Sequence, residues 1–211
     1  MSPRQVCEAL CQALAYENDV MKVLVLDGST AEDAGVLGVA GTLKELLIRS
    51  GHQLEWMELR GMTLDPCAGC TSCWDRTPGI CVKEDDGRTI GGAWMSSDLV
   101  ILLGRITFGG YPSLLKRALD RQAGLLLPYY LSGKEGVVHM PRYERYPSIL
   151  AIGVCSEYSQ EEDETFKRIV AQNGMTFKAL HTRVKIVCAE EREETTREII
   201  ESSVMGMKVR R

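Results

Sequence analysis

The chain has 211 residues and a mass of 23.4 kDa, which suits one domain large enough to fold without disulfide bonds. Hydrophobic residues make up 45% and charged residues 26%, and this excludes a disordered or collagen-like protein. The net charge of -4 excludes a general nucleic-acid-binding protein, because no basic excess would release counterions. No apolar run reaches the roughly 18 residues of a membrane span, and acidic residues interrupt any signal peptide. We therefore expect a cytoplasmic protein with no membrane partner.

The first part of the chain predicts an amphipathic helix over residues 3–18, which we interpret as an N-terminal helical extension covering 1–20. Residues 21–211 then form a single domain, because they contain no repeat and no low-complexity linker. Met21 is an alternative start directly before the first predicted strand, and the sequence leaves both readings open.

The domain alternates apolar strand patterns with helix patterns. We predict strands at 21–26, 52–59, 98–104, 149–154 and 184–188, and helices at 39–49, 87–96, 112–121, 159–174 and 192–205. This alternation indicates right-handed βαβ units and a parallel sheet. Five strands favour a flavodoxin-like, three-layer α/β/α fold with strand order 2-1-3-4-5. Residues 122–148 are predicted to form a long connection.

In such a sheet ligands bind beyond the carboxyl ends of the strands, where the strand order reverses. Two predicted loops meet there, at 28–35 and 105–111. The first is rich in Gly, Ser and Thr and precedes a helix, so it can hold a phosphate, although an ordinary turn has the same composition. The second places paired glycines beside Phe108 and Tyr111, which suits the edge of a flavin ring. A glycine turn with core aromatic residues is the alternative.

Four of the eight cysteines lie within fifteen residues: Cys67, Cys70, Cys73 and Cys81. In a reducing compartment they are not a disulfide framework. Two successive C-x-x-C steps favour an iron–sulfur cluster over structural zinc, which usually uses two separated pairs. Reduced structural thiols, or a motif that has lost its cluster, remain the alternatives. The following Asp85 and Asp86 are expected to face solvent or to cap the next helix.

Taken together, these residues resemble the NADPH-dependent FMN reductases, a family that includes multimeric flavodoxins and iron–sulfur flavoproteins. The resemblance runs from Met21 to about Gly174. The segments that carry it are Pro66 to Trp74, Thr77 to Gly87, Ser97 to Val100, Thr107 to Tyr111, Leu115-Lys116, Asp120-Arg121 and Arg142 to Pro147.

The resemblance implies bound FMN, NAD(P)H as co-substrate, and oligomers with flavins near the subunit contacts. It assigns Ser29 and Thr30 to the flavin phosphate. It assigns the isoalloxazine ring to the loop formed by Ile106, Thr107, Phe108, Gly109, Gly110 and Tyr111. Cys155 and Ser156 would face the other side of the flavin. The ligands of a 4Fe–4S cluster would be Cys67, Cys70, Cys73 and Cys81.

Two departures from the family pattern concern the phosphate. Family loops usually carry Arg, Asn and Thr after the Gly-Ser pair, whereas this chain has Ala31 to Val36 with two acids, Glu32 and Asp33. Those acids would repel a phosphate dianion unless they turn to solvent. Arg105 also stands where the family generally has proline. The phosphate site is therefore less well supported by the sequence than the fold.

The leading hypothesis is an FMN-dependent oxidoreductase that passes electrons from NAD(P)H to a small acceptor, a redox protein or the cluster. The alternatives are a non-enzymatic flavin and iron–sulfur electron carrier, and a metal or redox sensor that has lost the flavin. We also expect a homodimer or homotetramer, unless the connection folds back over its own sheet edge. A monomer would expose an apolar patch made of Leu125, Leu126, Leu127, Tyr129 and Tyr130.

Overall fold

The computed structural model describes residues 20–133 and 136–207, so the helix predicted over 3–18 lies outside the described residues. Five parallel strands form the central sheet in the order β2-β1-β3-β6-β7. They are β1 (Lys22–Asp27), β2 (Gln53–Glu58), β3 (Leu99–Arg105), β6 (Ser148–Cys155) and β7 (Thr182–Cys188). With the two strands of a separate hairpin left out, this order is the predicted 2-1-3-4-5. The flavodoxin-like fold is confirmed.

Helices cover both faces of the sheet because the buried strands are apolar on both sides. Helices α1 (Ala34–Arg49) and α6 (Glu193–Met205) pack against one face. The other face carries α3 (Gly87–Ser96), α4 (Ser113–Asp120) and α5 (Gln160–Thr176), and Trp94 and Phe166 fill the core beneath them. A short helix α2 (Ser72–Asp75) lies within the cysteine loop. No helix within 20–133 and 136–207 is long and apolar enough to span a bilayer.

Local signals at the helix ends match the structure closely. The Ser159 hydroxyl accepts a hydrogen bond from the Glu162 amide and so caps the amino end of α5, which begins one residue after the predicted start at 159. Pro112 lies one residue before α4, at the N-cap rather than inside the helix. The end of α5 falls at Thr176, two residues beyond the predicted end.

The segment predicted as a long connection contains a hairpin that the sequence did not predict. Its strands are β4 (Leu126–Gly133) and β5 (Gly136–Pro141), which pair antiparallel outside the main sheet. Leu125 and Leu126 were expected in an exposed patch, but both are buried in the core, because the segment before the hairpin turns inward. Tyr129 and Tyr130 remain exposed.

Candidate functional site

The loop after β1 begins with a buried serine that the chain itself holds in place. The Ser29 amide donates to Asp27 Oδ1 at 2.9 Å, and the Ser29 hydroxyl accepts from Arg60 Nη1 at 2.8 Å. The second carboxylate oxygen of Asp27 accepts from Trp56 Nε1 at 3.2 Å. Ser29 therefore anchors the turn below the surface.

The next residues of this loop are satisfied by Asp33. Its Oδ2 accepts from the Thr30 amide at 3.2 Å and from the Thr30 hydroxyl at 3.0 Å. The other oxygen, Oδ1, lies 3.4 Å from Arg105 Nη1. The second terminal nitrogen of Arg105 donates to the Ser156 hydroxyl, which links the loops after β1, β3 and β6. The Asp33 carboxylate thus contacts both Thr30 and Arg105, which are the donors that a phosphate would need here.

A cavity of about 240 Å³ opens at this junction. Asp33, Arg105, Cys155 and Ser156 line it, together with the start of α1 and Ala189 after β7. The structure therefore brings the predicted Cys155 and Ser156 to the same edge as the loop after β1. The amino end of α1 adds backbone N–H groups and a positive dipole to this edge.

The loop after β3 is a tight turn that projects an aromatic side chain. Thr107 and Gly110 exchange both backbone hydrogen bonds, at 3.0 and 2.9 Å. Phe108 and Gly109 have φ of 50° and 71°, the left-handed pair of a type I′ turn. The Phe108 side chain is 93% exposed. Within the described residues the Phe108 and Gly109 amides make no hydrogen bond, but only Phe108 is exposed, because Gly109 is buried against Thr165 of α5.

The remaining residues assigned to the flavin ring point inward. Ile106 is buried, and its amide donates to the Val154 carbonyl at 2.9 Å. Tyr111 packs edge-on against Phe166, and its hydroxyl accepts from Asn173 Nδ2 at 3.3 Å. Burial raises the pKa of Tyr111 to about 12, so the phenol stays neutral. The buried side chains of Ile106 and Tyr111 therefore pack beneath the loop, and a flavin could contact only the residues of the turn between them.

The four clustered cysteines lie in the long loop between β2 and α3. Cys67 and Cys70 are exposed, whereas Cys73 and Cys81 are partly buried. Hydrogen bonds from the amide and hydroxyl of Ser72 lower the pKa of Cys70. Burial, and then the charges of the other three cysteines, raise the pKa of Cys73. The four thiols are therefore close enough to interact electrostatically.

A buried ion pair fastens this loop to the fold. Arg121 donates to both carboxylate oxygens of Asp85, at 2.5 and 2.6 Å, and also to the Asp65 carbonyl. Asp85 in turn accepts from the Asp65 and Gly87 amides. Asp85 does not face solvent, because Arg121 reaches it from the turn after α4, but it does satisfy the amide of Gly87 at the start of α3, which was the other expected role. Asp86 accepts from the Thr63 amide and does not cap the helix by its side chain.

A family model for NADPH-dependent FMN reductases matches residues 21–134, more than half of the chain. The chain belongs to this family. Among curated proteins, this FMN reductase family member is 28% identical over 116 residues to an iron–sulfur flavoprotein of Methanocaldococcus jannaschii. That match covers 55% of the chain and 59% of the relative, so it spans little more than half of each protein.

Solved structures resemble this FMN reductase family member in fold. An NAD(P)H:quinone oxidoreductase from Methanothermobacter marburgensis aligns with a TM-score of 0.66 at 14% identity, over 90% of this chain and 100% of that one. An FMN-dependent NADH-azoreductase of Bacillus anthracis, in complex with FMN, aligns with a TM-score of 0.58 at 12% identity. That alignment covers 87% of this chain and 95% of the azoreductase chain.

The residues of this family member fit the two parts of FMN differently. The unpartnered amide of the exposed Phe108 suits the polar edge of the ring. Arg105, Thr30 and Ser156 are suitable phosphate donors, but Asp33 holds two of them. The phosphate therefore fits only if it displaces the Asp33 carboxylate.

For a metal, the donor chemistry and the geometry give different answers. Four thiols in one loop are the ligand set of an iron–sulfur cluster. Within the described residues, no group of three or more His, Cys, Asp or Glu side chains is arranged to hold a single metal ion. The loop suits a cluster by its chemistry and does not form a ready-made site for one ion.

Sequence reasoning missed Asp27, Trp56 and Arg60, which hold Ser29. Asp27 lies only two residues from Ser29, but Trp56 and Arg60 reach Asp27 and Ser29 from 29 and 31 positions away along the chain, so no local motif reveals those two bonds. The parallel pairing of β1 with β2 brings them together, because Asp27 and Glu58 are register partners. For the cavity itself the sequence did give signals, namely the departures at Glu32, Asp33 and Arg105 and the assignment of Cys155 and Ser156.

Proposed function

We propose that this chain is an NAD(P)H-dependent oxidoreductase that binds FMN at the carboxyl edge of its sheet and passes electrons to a small acceptor. The observation that carries the proposal is the turn from Thr107 to Gly110. It exposes the Phe108 side chain and an unpartnered Phe108 amide at the switch point of the strand order, two residues beyond Arg105, which lines the 240 Å³ cavity. Family membership supports the same activity.

Each part of the edge has a task in this function. The Phe108 amide orients the polar edge of the ring, and the exposed Phe108 side chain covers part of the ring. Arg105, Thr30 and Ser156 hold the phosphate. FMN, when bound, supplies the hydride-accepting chemistry that protein side chains lack. No described side chain is needed as an acid or base, so the protein contributes position, charge and exclusion of water.

A cluster on the cysteine loop is a second proposal, which the clustered thiols and the name of the Methanocaldococcus relative favour. Cys67, Cys70, Cys73 and Cys81 would hold a 4Fe–4S cluster that takes electrons from the flavin. The buried pair of Asp85 and Arg121 would keep the loop near the sheet.

We also propose that the protein is a homodimer or homotetramer. Tyr129, Tyr130, Leu131 and Val137 leave apolar surface exposed on the hairpin, which a second copy of the chain would cover. Light scattering at micromolar concentration should give a mass of at least two chains. A monomeric mass would contradict this proposal.

The function is tested by incubating the purified protein with FMN, removing free flavin, and following NADPH oxidation with a quinone. We expect a yellow protein and steady oxidation. Gly109→Ala should lose at least about tenfold in flavin affinity, because φ is 71° there and the new Cβ would lie 2.9 Å from Thr165. Gly51→Ala is the matched control, since Gly51 has a similar φ of 72°, lies just before β2 at the opposite end of the strands, and has open space for the new Cβ.

Other outcomes separate the alternatives. A protein that stays free of flavin would overturn the proposed function, and iron bound without flavin would favour a sensor. Bound FMN without turnover would favour an electron carrier.

For the cluster, iron and acid-labile sulfide are measured after anaerobic reconstitution in the native protein and in Cys70→Ala. Near-zero iron in both would refute it.

A further inference from the structure

Two cysteines outside the clustered loop lie side by side at the carboxyl edge of the sheet. Cys155 is the last residue of β6 and Cys188 the last residue of β7, and they are register partners in the parallel pair. Their sulfur atoms are 3.1 Å apart. Neither thiol has a task in the proposed electron transfer, so their close approach needs another explanation.

The backbone already satisfies the geometry of a disulfide. Neighbouring strands run about 4.7–4.9 Å apart, which is within the range of about 4.4–6.8 Å between the Cα atoms of bonded cysteines. Register partners in a parallel pair point to the same face of the sheet, so both sulfurs already lie on one side. Closing the bond requires the sulfur atoms to move and leaves the strands in place.

The two thiols differ in environment. Cys155 is buried and lines the 240 Å³ cavity, whereas Cys188 is partly exposed. Burial, the neighbouring Cys188 thiol and, more weakly, the charge of Glu191 raise the pKa of Cys155. Glu191 is close by, because its Oε1 accepts from the Cys188 amide at 3.4 Å and its Oε2 is buried without a hydrogen-bond partner. Cys155 therefore stays a neutral thiol, and the accessible Cys188 is the attacking one.

We propose that Cys155 and Cys188 form a reversible thiol–disulfide site that reacts with low-molecular-weight disulfides. The Cys188 thiolate attacks one sulfur of the small disulfide, whose S–S bond breaks and releases one thiol. The Cys155 thiol then loses its proton and attacks the Cys188 sulfur, which expels the second small thiol. Two protein thiols are oxidised to one disulfide, and one small disulfide is reduced to two thiols.

The test uses flavin-free protein, so its outcome is independent of the proposed flavin chemistry. The folded chain is treated with glutathione disulfide under anaerobic conditions, alkylated and digested with trypsin. Cys155 falls in peptide 146–167 and Cys188 in peptide 186–192. We expect these two peptides to be recovered mainly as one linked species that dithiothreitol separates. Recovery of both cysteines as free thiols, or only as separate glutathione adducts, would overturn the proposal.

Three variants sharpen the result. Cys155→Ser should leave a stable glutathione adduct on Cys188, because the resolving thiol is gone, and Cys67→Ser should still give the linked peptides. Glu191→Gln keeps the acceptor for the Cys188 amide and removes a negative charge. It should speed formation of the linked species severalfold, since the charge of Glu191 opposes the Cys155 thiolate that attacks the Cys188 sulfur. A linked species that forms equally well in urea-unfolded protein would contradict a site built by the fold.

Discussion

The chain contains two Asp–Arg pairs at the same edge of its sheet, and they differ mainly in burial. In the pair of Asp85 and Arg121 the side chains are 7% and 0% exposed, and the guanidinium contacts both carboxylate oxygens. In the pair of Asp33 and Arg105 the arginine is 50% exposed, the aspartate is 12% exposed, and the atoms are 3.4 Å apart. The two pairs have the same chemical groups in different surroundings.

That difference assigns the pairs to different tasks. Breaking a buried pair leaves a charge without water or a partner, so Asp85 and Arg121 fix the cysteine loop permanently. The pair of Asp33 and Arg105 contributes less stability, because water solvates its half-exposed guanidinium when the two groups separate. Arg105 can therefore exchange the Asp33 carboxylate for a ligand phosphate at small cost to the fold. We interpret the first pair as structural and the second as a displaceable part of the flavin site.

The largest effect is expected when the buried pair is broken. Asp85→Asn should lower the free energy of unfolding by about 3 kcal/mol, because Arg121 keeps its charge in a buried place. Denaturant unfolding at neutral pH measures this. Asp86→Asn is the control, since the Asp86 carboxylate makes only a contact with the Thr63 amide. This substitution should lower the free energy of unfolding by less than about 1 kcal/mol. Equal losses of unfolding free energy in the two variants would contradict a stabilising role for the pair of Asp85 and Arg121.

The same pair predicts a pH dependence. Hydrogen bonds from Arg121 lower the pKa of Asp85 from 3.8 to about 2. Because the folded pKa is the lower one, the stabilisation is complete well above pH 3.8 and is lost as the pH falls through about 2. The difference in unfolding free energy between native protein and Asp85→Asn should therefore shrink by roughly 2 kcal/mol on acidification from pH 7 to pH 2. A constant difference would contradict the assigned pKa.

Sequence reasoning predicted the sheet well because apolar strands alternate with helices, and this pattern alone gives the strand order and the switch point. The pairing of Asp85 with Arg121 could not be predicted in this way, because the residues are 36 apart and only tertiary packing brings them together. The hairpin within 122–148 was missed because its strands show no apolar–polar alternation and Pro128 interrupts the first of them. The prediction that Glu32 and Asp33 oppose a phosphate stays a prediction, to which the structure adds the contacts of Asp33.

Removing the half-exposed guanidinium of Arg105 should weaken FMN binding and leave the fold intact. Arg105→Gln should lower FMN affinity by about thirtyfold, since a charge-assisted bond to phosphate contributes about 2 kcal/mol. Its unfolding free energy should change by less than about 0.5 kcal/mol. Arg145→Gln is the matched control, because Arg145 forms an exposed pair with Asp98 at the other edge of the sheet. Quenching of flavin fluorescence measures both affinities, and an equal loss in the control would remove Arg105 from the site.

The most direct measurement compares FMN with riboflavin, which lacks the phosphate, in native protein and in Asp33→Asn. Asparagine keeps an acceptor for Thr30 and removes the charge that competes with the phosphate. FMN affinity should rise about tenfold, equivalent to about 1.4 kcal/mol, while riboflavin affinity stays unchanged. Glu32→Gln, a neighbouring acid that lines the same cavity, should have a smaller effect. Unchanged FMN affinity in Asp33→Asn, or an equal rise for riboflavin, would contradict a flavin site whose phosphate replaces Asp33.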